Sequence, residues 1–173
     1  MTDIEAIAQG LLRAPVFPIP APAKPGVFAI FISDPYQLRD VEVDQSGLLY
    51  IGKSKFELRG RIQKLLRQSG STLRRSLGAV LRETLDLHPE PDVMSKYQWQ
   101  YHFADETRLD EWIHSHLRYS FYVIERDFNK IQKALIQQLR PPFNLSKWKN
   151  PQLEKVRGLR RLCGRDAHQT LNF

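Results

Sequence analysis

A mixed α/β fold is predicted for this chain of 173 residues, on three observations. Two short apolar runs, Gly26-Val27-Phe28-Ala29-Ile30-Phe31 and Leu49-Tyr50-Ile51-Gly52, are rich in β-branched and aromatic residues and flanked by Pro, Gly, Asp and Ser. Runs of this length are too short for helices and read as buried strands. Several longer segments repeat apolar residues at helical intervals, and they alternate with the strand patterns. The length is that of one ordinary domain with a real core, and no internal repeat divides it.

Taken in order, Asp3 to Arg13 places Ile4, Ile7, Leu11 and Leu12 on one side of a short helix. Pro15, Pro18, Pro20, Pro22 and Pro25 then make an extended connector that cannot enter a sheet interior. The first strand follows, then a polar insertion from Ser33 to Gly47 that is longer than a hairpin turn. After the second strand, Leu58, Ile62, Leu65 and Leu66 form a helical stripe that leaves Arg59, Arg61 and Lys64 on other faces. Ser71 or Thr72 can cap the next helix, whose apolar stripe is Leu73, Leu77, Val80, Leu81 and Leu85. Tyr97, Trp99, Tyr101 and Phe103 alternate with polar residues, which predicts a half-buried strand, with a base-stacking platform as the alternative. A helix from about Thr107 to Leu117, a strand from about Phe121 to Glu125 and a helix from about Phe128 to Leu139 complete the pattern, the last stopped by Pro141-Pro142. The expected organisation is an N-terminal helix and connector over 1–25, a central domain over 26–150, and a basic C-terminal helix and tail over 151–173 packed on that domain.

Charge is concentrated rather than spread. The net charge is +7, and the segment from Lys53 to Arg82 carries Lys53, Lys55, Arg59, Arg61, Lys64, Arg67, Arg74, Arg75 and Arg82 against Glu57 alone. A solvated helix face interleaves both signs, so a one-sided block points to a polyanion partner. Lys147, Lys149, Lys155, Arg157, Arg160, Arg161 and Arg165 form a second basic run. No run approaches the length of a membrane span. The start, Met1-Thr2-Asp3-Ile4-Glu5, lacks the basic and apolar regions of a signal peptide. With Cys163 as its single cysteine the chain can form no internal disulfide, and a cytoplasmic location is expected. No Cys/His zinc spacing occurs: His114 and His116 stand two apart, too close to share a helical face.

The strand pair and the helix after it carry a family resemblance. Gly26-Val27-Phe28, Tyr50-Ile51-Gly52, Leu58-Arg59-Gly60-Arg61-Ile62 and, far downstream, Leu135-Ile136 with Arg140-Pro141-Pro142-Phe143-Asn144 resemble, in order, the motifs of the GIY-YIG nuclease superfamily. The resemblance runs on through Ser71–Gly78, Leu109–Ile113 and Asn150-Pro151, covers roughly residues 25 to 165, and is closest in character to small stand-alone bacterial members.

The resemblance implies a small central, mostly antiparallel sheet flanked by helices, and metal-dependent phosphodiester hydrolysis of DNA with Mg²⁺ or Mn²⁺. Carried over by position, Tyr50 assists water activation, Arg61 stabilises the phosphate, Lys53 supports the pocket and Asn144 orders the closing loop. Two positions depart from the pattern. Phe28 stands where the first motif has tyrosine, and Gln132 where the family has its metal-binding glutamate. Gln keeps the size but not the anionic oxygen that Mg²⁺ prefers. Natural loss of catalysis, inactivating substitutions, or a carboxylate supplied instead by Glu125 would each account for this. Gln132→Glu alone is then expected to restore cleavage, and Phe28→Tyr alone is not. The expected nucleic-acid contacts are Arg59, Lys64, Arg67, Arg74, Arg75, Lys147 and Lys149. Two functions follow: a GIY-YIG endonuclease of reduced or lost activity, or a noncatalytic nucleic-acid-binding or assembly module on the same fold. Cutting both strands would call for two active sites and hence a homodimer.

Overall fold

The computed structural model describes residues 3–13, 21–67, 70–93 and 100–169. In chain order the elements are α1 (Ile4–Arg13), β1 (Gly26–Ile32), a 3₁₀ turn (Pro35–Gln37), β2 (Leu48–Ser54), α2 (Leu58–Arg67), α3 (Thr72–Leu81), β3 (Pro89–Pro91), β4 (Tyr101–Phe103), α4 (Glu106–His116), β5 (Leu117–Val123), α5 (Phe128–Leu139) and α6 (Leu153–Gln169). They fall into two compact units, Met1–Gln63 with His116–Gln152, and Lys64–Ser115 with Leu153–Phe173.

The first unit is a three-stranded antiparallel sheet in the order β2-β1-β5. Its central strand is buried along its whole length, which explains why β1 reads as an unbroken apolar run rather than an alternation. Val27, Ala29, Phe31, Leu48 and Ile51 from the sheet pack with Ile7, Ala8 and Leu11 of α1 and Ile131, Leu135 and Ile136 of α5. Each buried aliphatic side chain of this kind contributes about 1.5–3 kcal/mol. α1 is thereby part of the core. The Ser120 hydroxyl of β5 donates to the Leu11 carbonyl near the end of α1. In the insertion between β1 and β2, Asp34 caps the 3₁₀ turn by accepting from the Tyr36 backbone N–H at 3.1 Å. Leu38 and Val41 anchor the same loop in the interior.

The second unit contains α3, α4, α6, the end of α2 and the β3-β4 hairpin. Ser71 caps α3 through its hydroxyl, which accepts from the Arg74 N–H. α6 packs on α3 and on the hairpin, burying Val156, Cys163 and Ala167.

Three boundaries differ from the expectation. β5 begins at Leu117, where a helix end was expected, because Leu117 to Val123 pair residue by residue with Ile32 to Gly26; a helical and a strand reading overlap there until β1 is present as a partner. α3 stops at Leu81, leaving Leu85 in the turn that follows, although Leu85 N–H still reaches the Leu81 carbonyl at 2.9 Å. β3 was unanticipated because a proline stands at each end of it, and a three-residue strand carries no periodicity. Tyr101 and Phe103 do form a strand with both rings buried, 5.5 Å apart and edge to face. Tyr97, Trp99 and the connector from Ala14 to Pro20 lie outside the described residues. Among the described residues no helix is long and apolar enough to cross a membrane.

Candidate functional site

β2 is one of the two edge strands of the sheet in the first unit, and the segment after α5 closes it. An edge strand presents unpaired N–H and C=O groups that need partners. Asn144 supplies both for Ile51: its Oδ1 accepts from the Ile51 N–H at 2.8 Å and its Nδ2 donates to the Ile51 carbonyl at 3.0 Å. Phe143 N–H bonds the Leu49 carbonyl at 3.0 Å. Asn144's own carbonyl is held by Asn150 Nδ2 and by Trp148 Nε1, so the loop is tied to the strand and to itself. Removing this amide orphans a buried N–H and weakens the hold on a buried carbonyl. Asn144→Ala is therefore expected to lower stability by about 1–3 kcal/mol, read from the denaturation midpoint.

Gln132 arrives at the same place from the buried face of α5. Its Nε2 donates to the Ile51 carbonyl at 3.1 Å, and its Oε1 accepts from Lys147 Nζ at 2.6 Å. Both ends of the amide are engaged, and the side chain is buried. Lys147 lies in the closing loop with a left-handed backbone, φ +76°, an uncommon state for a residue with a side chain. Lys53 of β2 bonds Asn129 Oδ1 in the first turn of α5. Burial pushes both ammonium groups below the ordinary lysine value; Lys55 and Arg61 add to the effect at Lys53, and Lys53 adds to it at Lys147. Two cations, each bonded to a neutral amide of α5, thus stand close enough for the charge of Lys53 to act on Lys147.

Tyr50 and Gly52 stand on the opposite face of β2 from Ile51 and Lys53. Burial raises the Tyr50 phenol, opposed by the charge of Arg61. Arg61 is exposed on α2, and its charge is felt by both Tyr50 and Lys53. Phe28 is completely buried. Its ring lies 6.3 Å from that of Tyr50 and covers Gly52, where an added Cβ would stand 2.1 Å from Phe28 Cζ. It is a packing residue of β1.

The expected nucleic-acid contacts separate into two groups. Arg59, Lys64, Arg67, Lys147 and Lys149 are exposed, Arg59 with its Nε also donating to the Ala21 carbonyl. Arg74 is not a surface residue. It is 2% exposed and its guanidinium is consumed by Glu106, Asp110 and the Leu66 carbonyl, so the second unit has used this charge for its own assembly. Arg75 is 6% exposed and likewise does not belong to an open basic face. In both cases the arginines lie on α3, whose residues Leu73 to Leu81 are all buried, a fact that a charge count along the chain does not carry.

One participant, Asn129, has no place in the expectations from sequence, and another, Lys147, was expected only as a nucleic-acid contact. Asn129 is three residues before Gln132 and so on the same side of α5, a spacing that could have indicated it. Lys147 was read as a surface contact; only the left-handed turn after Pro141-Pro142 brings it back to Gln132.

The model of the GIY-YIG catalytic domain matches residues 26–162. The chain belongs to the GIY-YIG family. Neither the comparison with curated proteins nor that with solved structures found a match. Membership brings a nuclease-type function at the level of the family, and nucleases of this family are in general metal-dependent. The residues at this GIY-YIG centre do not fit a divalent ion. Mg²⁺ and Mn²⁺ take hard, preferably anionic oxygens, whereas Gln132, where the resemblance leads one to expect the glutamate, is an amide whose oxygen already accepts from an ammonium group. Among the described residues no group of three or more His, Cys, Asp or Glu could hold a metal. Glu125 does not supply the missing carboxylate: it is exposed beyond the end of β5, and no ion pair or hydrogen bond joins it to Gln132 or Lys147.

Proposed function

We propose that this GIY-YIG protein binds DNA without cutting it, gripping a backbone phosphate with Lys53, Lys147 and Arg61 at the centre where active relatives place a metal ion. The observation that carries this reading is the Lys147–Gln132 bond at 2.6 Å, which sets a positive charge against a neutral side chain. An ammonium group there offers a phosphate the attraction of a cation, but it cannot activate water as a metal does. Burial is the main cause that holds both lysines below their ordinary value, and a bound anion would offset the smaller repulsive part that neighbouring cations add. The exposed basic residues Arg59 and Lys149 of the same unit supply further phosphate contacts. The cytoplasm suits a chain whose single cysteine, Cys163, is buried and free.

Lys147 changes what Gln132→Glu is expected to do. A carboxylate placed at position 132 meets the Lys147 ammonium first and forms an ion pair with it, so the single variant should leave supercoiled plasmid intact in Mg²⁺ or Mn²⁺. The wild-type protein should do the same. Nicking by the wild-type chain, lost on Arg61→Ala and on chelation, would replace the binding reading with metal-dependent hydrolysis.

A further inference from the structure

The second unit contains a cavity of about 480 Å³ whose wall is largely arginine. Arg157, Arg160, Arg161, Gly164 and Arg165 line it from α6, Arg75 from α3 and Tyr101 from β4. The α6 residues fall at i, i+3, i+4 and i+8, along one side of the helix next to its buried stripe of Val156, Cys163 and Ala167.

Arg75 makes this cavity unusual. The residue is 6% exposed, and its Nε and Nη1, both closed to solvent, have no hydrogen-bond partner among the described residues. Buried guanidinium N–H groups left without acceptors carry an uncompensated desolvation cost. Arg74, its neighbour in sequence, shows the usual solution, with two carboxylates and a carbonyl around it. No carboxylate lines the cavity. Asp92 acts on Arg75 only electrostatically, and Tyr101 donates to the backbone carbonyl of Arg75 at 3.2 Å rather than to its side chain. The acids nearby serve the outer arginines: Glu154 is 3.8 Å from Arg157 and 3.9 Å from Arg161, and Asp166 is 3.6 Å from Arg165 while bonded to Arg82 at 2.6 Å. Arg160 feels the charge of Arg75 as well as burial. Arg75 and Arg160 thus both line a space that has no carboxylate in its wall, and Arg160 has a side-chain hydrogen bond to Tyr101 as its partner there.

We propose that this cavity binds the phosphate monoester of a nucleotide. A phosphate carries about two negative charges at neutral pH and accepts paired N–H donors, which suits Arg75 and Arg160 together better than a carboxylate with one charge does. The phosphate alone fills little of the space. The Tyr101 ring and the planar guanidinium groups of the outer arginines offer surfaces for a flat aromatic base, and the volume is in the range of small-molecule sites. The phosphate can come from a free nucleotide or from the 5′ end of a DNA strand.

Calorimetric titration of the full chain with adenosine monophosphate, and with a short single strand carrying either a 5′-phosphate or a 5′-hydroxyl, tests this. Saturable binding of the mononucleotide identifies a free nucleotide as ligand; tighter binding of the phosphorylated strand than of the hydroxyl strand, without mononucleotide binding, identifies a strand end. In either case Arg75→Gln and Arg160→Gln should each weaken the phosphate-dependent signal by about ten- to a hundredfold. Arg160 is only partly buried, so Arg160→Gln carries the test if Arg75→Gln does not fold. Absence of both signals in the wild-type protein, or signals that Arg160→Gln leaves unchanged, overturns the proposal. Both strands can also meet the GIY-YIG centre, so the location is read from the pair of variants: phosphate-dependent signals that are lost in Lys147→Gly and kept in Arg160→Gln would belong to that centre and overturn the cavity proposal without touching the DNA-binding reading.

Discussion

Gly52→Ala is expected to destabilise the protein by about 3 kcal/mol or more, the upper end of what overpacking costs. The new methyl group would stand 2.1 Å from Cζ and 2.5 Å from Cε1 of Phe28. Phe28 cannot move aside, because it is completely buried in the central strand, paired with Gly52 on one side and Phe121 on the other. Backbone conformation is not the reason for glycine here; space is. Chemical denaturation of Gly52→Ala measures the cost, and the double variant Gly52→Ala/Phe28→Ala isolates its source. The double variant should lose less than the sum of the two single variants, because the ring that the methyl strikes is gone. An unchanged midpoint for Gly52→Ala would mean that the ring does not lie over Gly52.

Arg74→Ala is expected to cost about 3–5 kcal/mol, the penalty for opening a buried ion pair by removing one partner. Arg74 Nε and Nη1 donate to Glu106 and Asp110, each at 2.7 Å. Its guanidinium also bonds the Leu66 carbonyl and reaches Glu106 a second time through Nη2. Glu106 has a second task that depends on this alignment, since its Oε1 accepts from the Phe103 N–H at 2.9 Å. Truncation thus leaves a partly buried carboxylate and a buried carbonyl without their donor, and it loosens the start of α4. Arg74→Lys should recover part of the stability but not all, because an ammonium group cannot reproduce the forked contacts. Wherever the variant remains folded, the salt dependence of DNA binding should equal that of the wild type. A flatter slope in Arg74→Lys would return this residue to the phosphate-binding surface.

The fold was legible where local pattern and tertiary context agree. β1 and β2 are short apolar runs that end up buried or at a closed edge, and α5 has both a helical stripe and a proline stop. It was less legible where the partner decides the state, as at Leu117 to Ser120, which pair with β1, or at Pro89 to Pro91, whose strand exists through its pairing with β4. The site divides in the same way. Tyr50, Lys53, Arg61, Gln132 and Asn144 are visible as positions in a motif. That Gln132 bonds a lysine rather than stands open depends on the left-handed backbone at Lys147, and no residue type announces it: a glycine or asparagine at this position would have been the signal. The fate of Arg74 and Arg75 was hidden for another reason. A run of positive charge along the chain is silent about which side of α3 faces the interior, and here every residue from Leu73 to Leu81 is buried.

Lys147→Gly separates the fold of the centre from its charge. Glycine accepts φ +76° more readily than lysine, so the closing loop should keep its course while the ammonium group is lost. The most direct measurement is the affinity of a short DNA duplex across a range of salt concentrations, in excess chelator and again in Mg²⁺, for the wild-type protein and for Lys147→Gly. A phosphate held by lysine and arginine predicts wild-type binding that does not require Mg²⁺, and a salt slope shallower by about 0.9 in Lys147→Gly, one contact's worth on duplex DNA. Wild-type binding that appears only with Mg²⁺, or a slope that Lys147→Gly leaves unchanged, would contradict it.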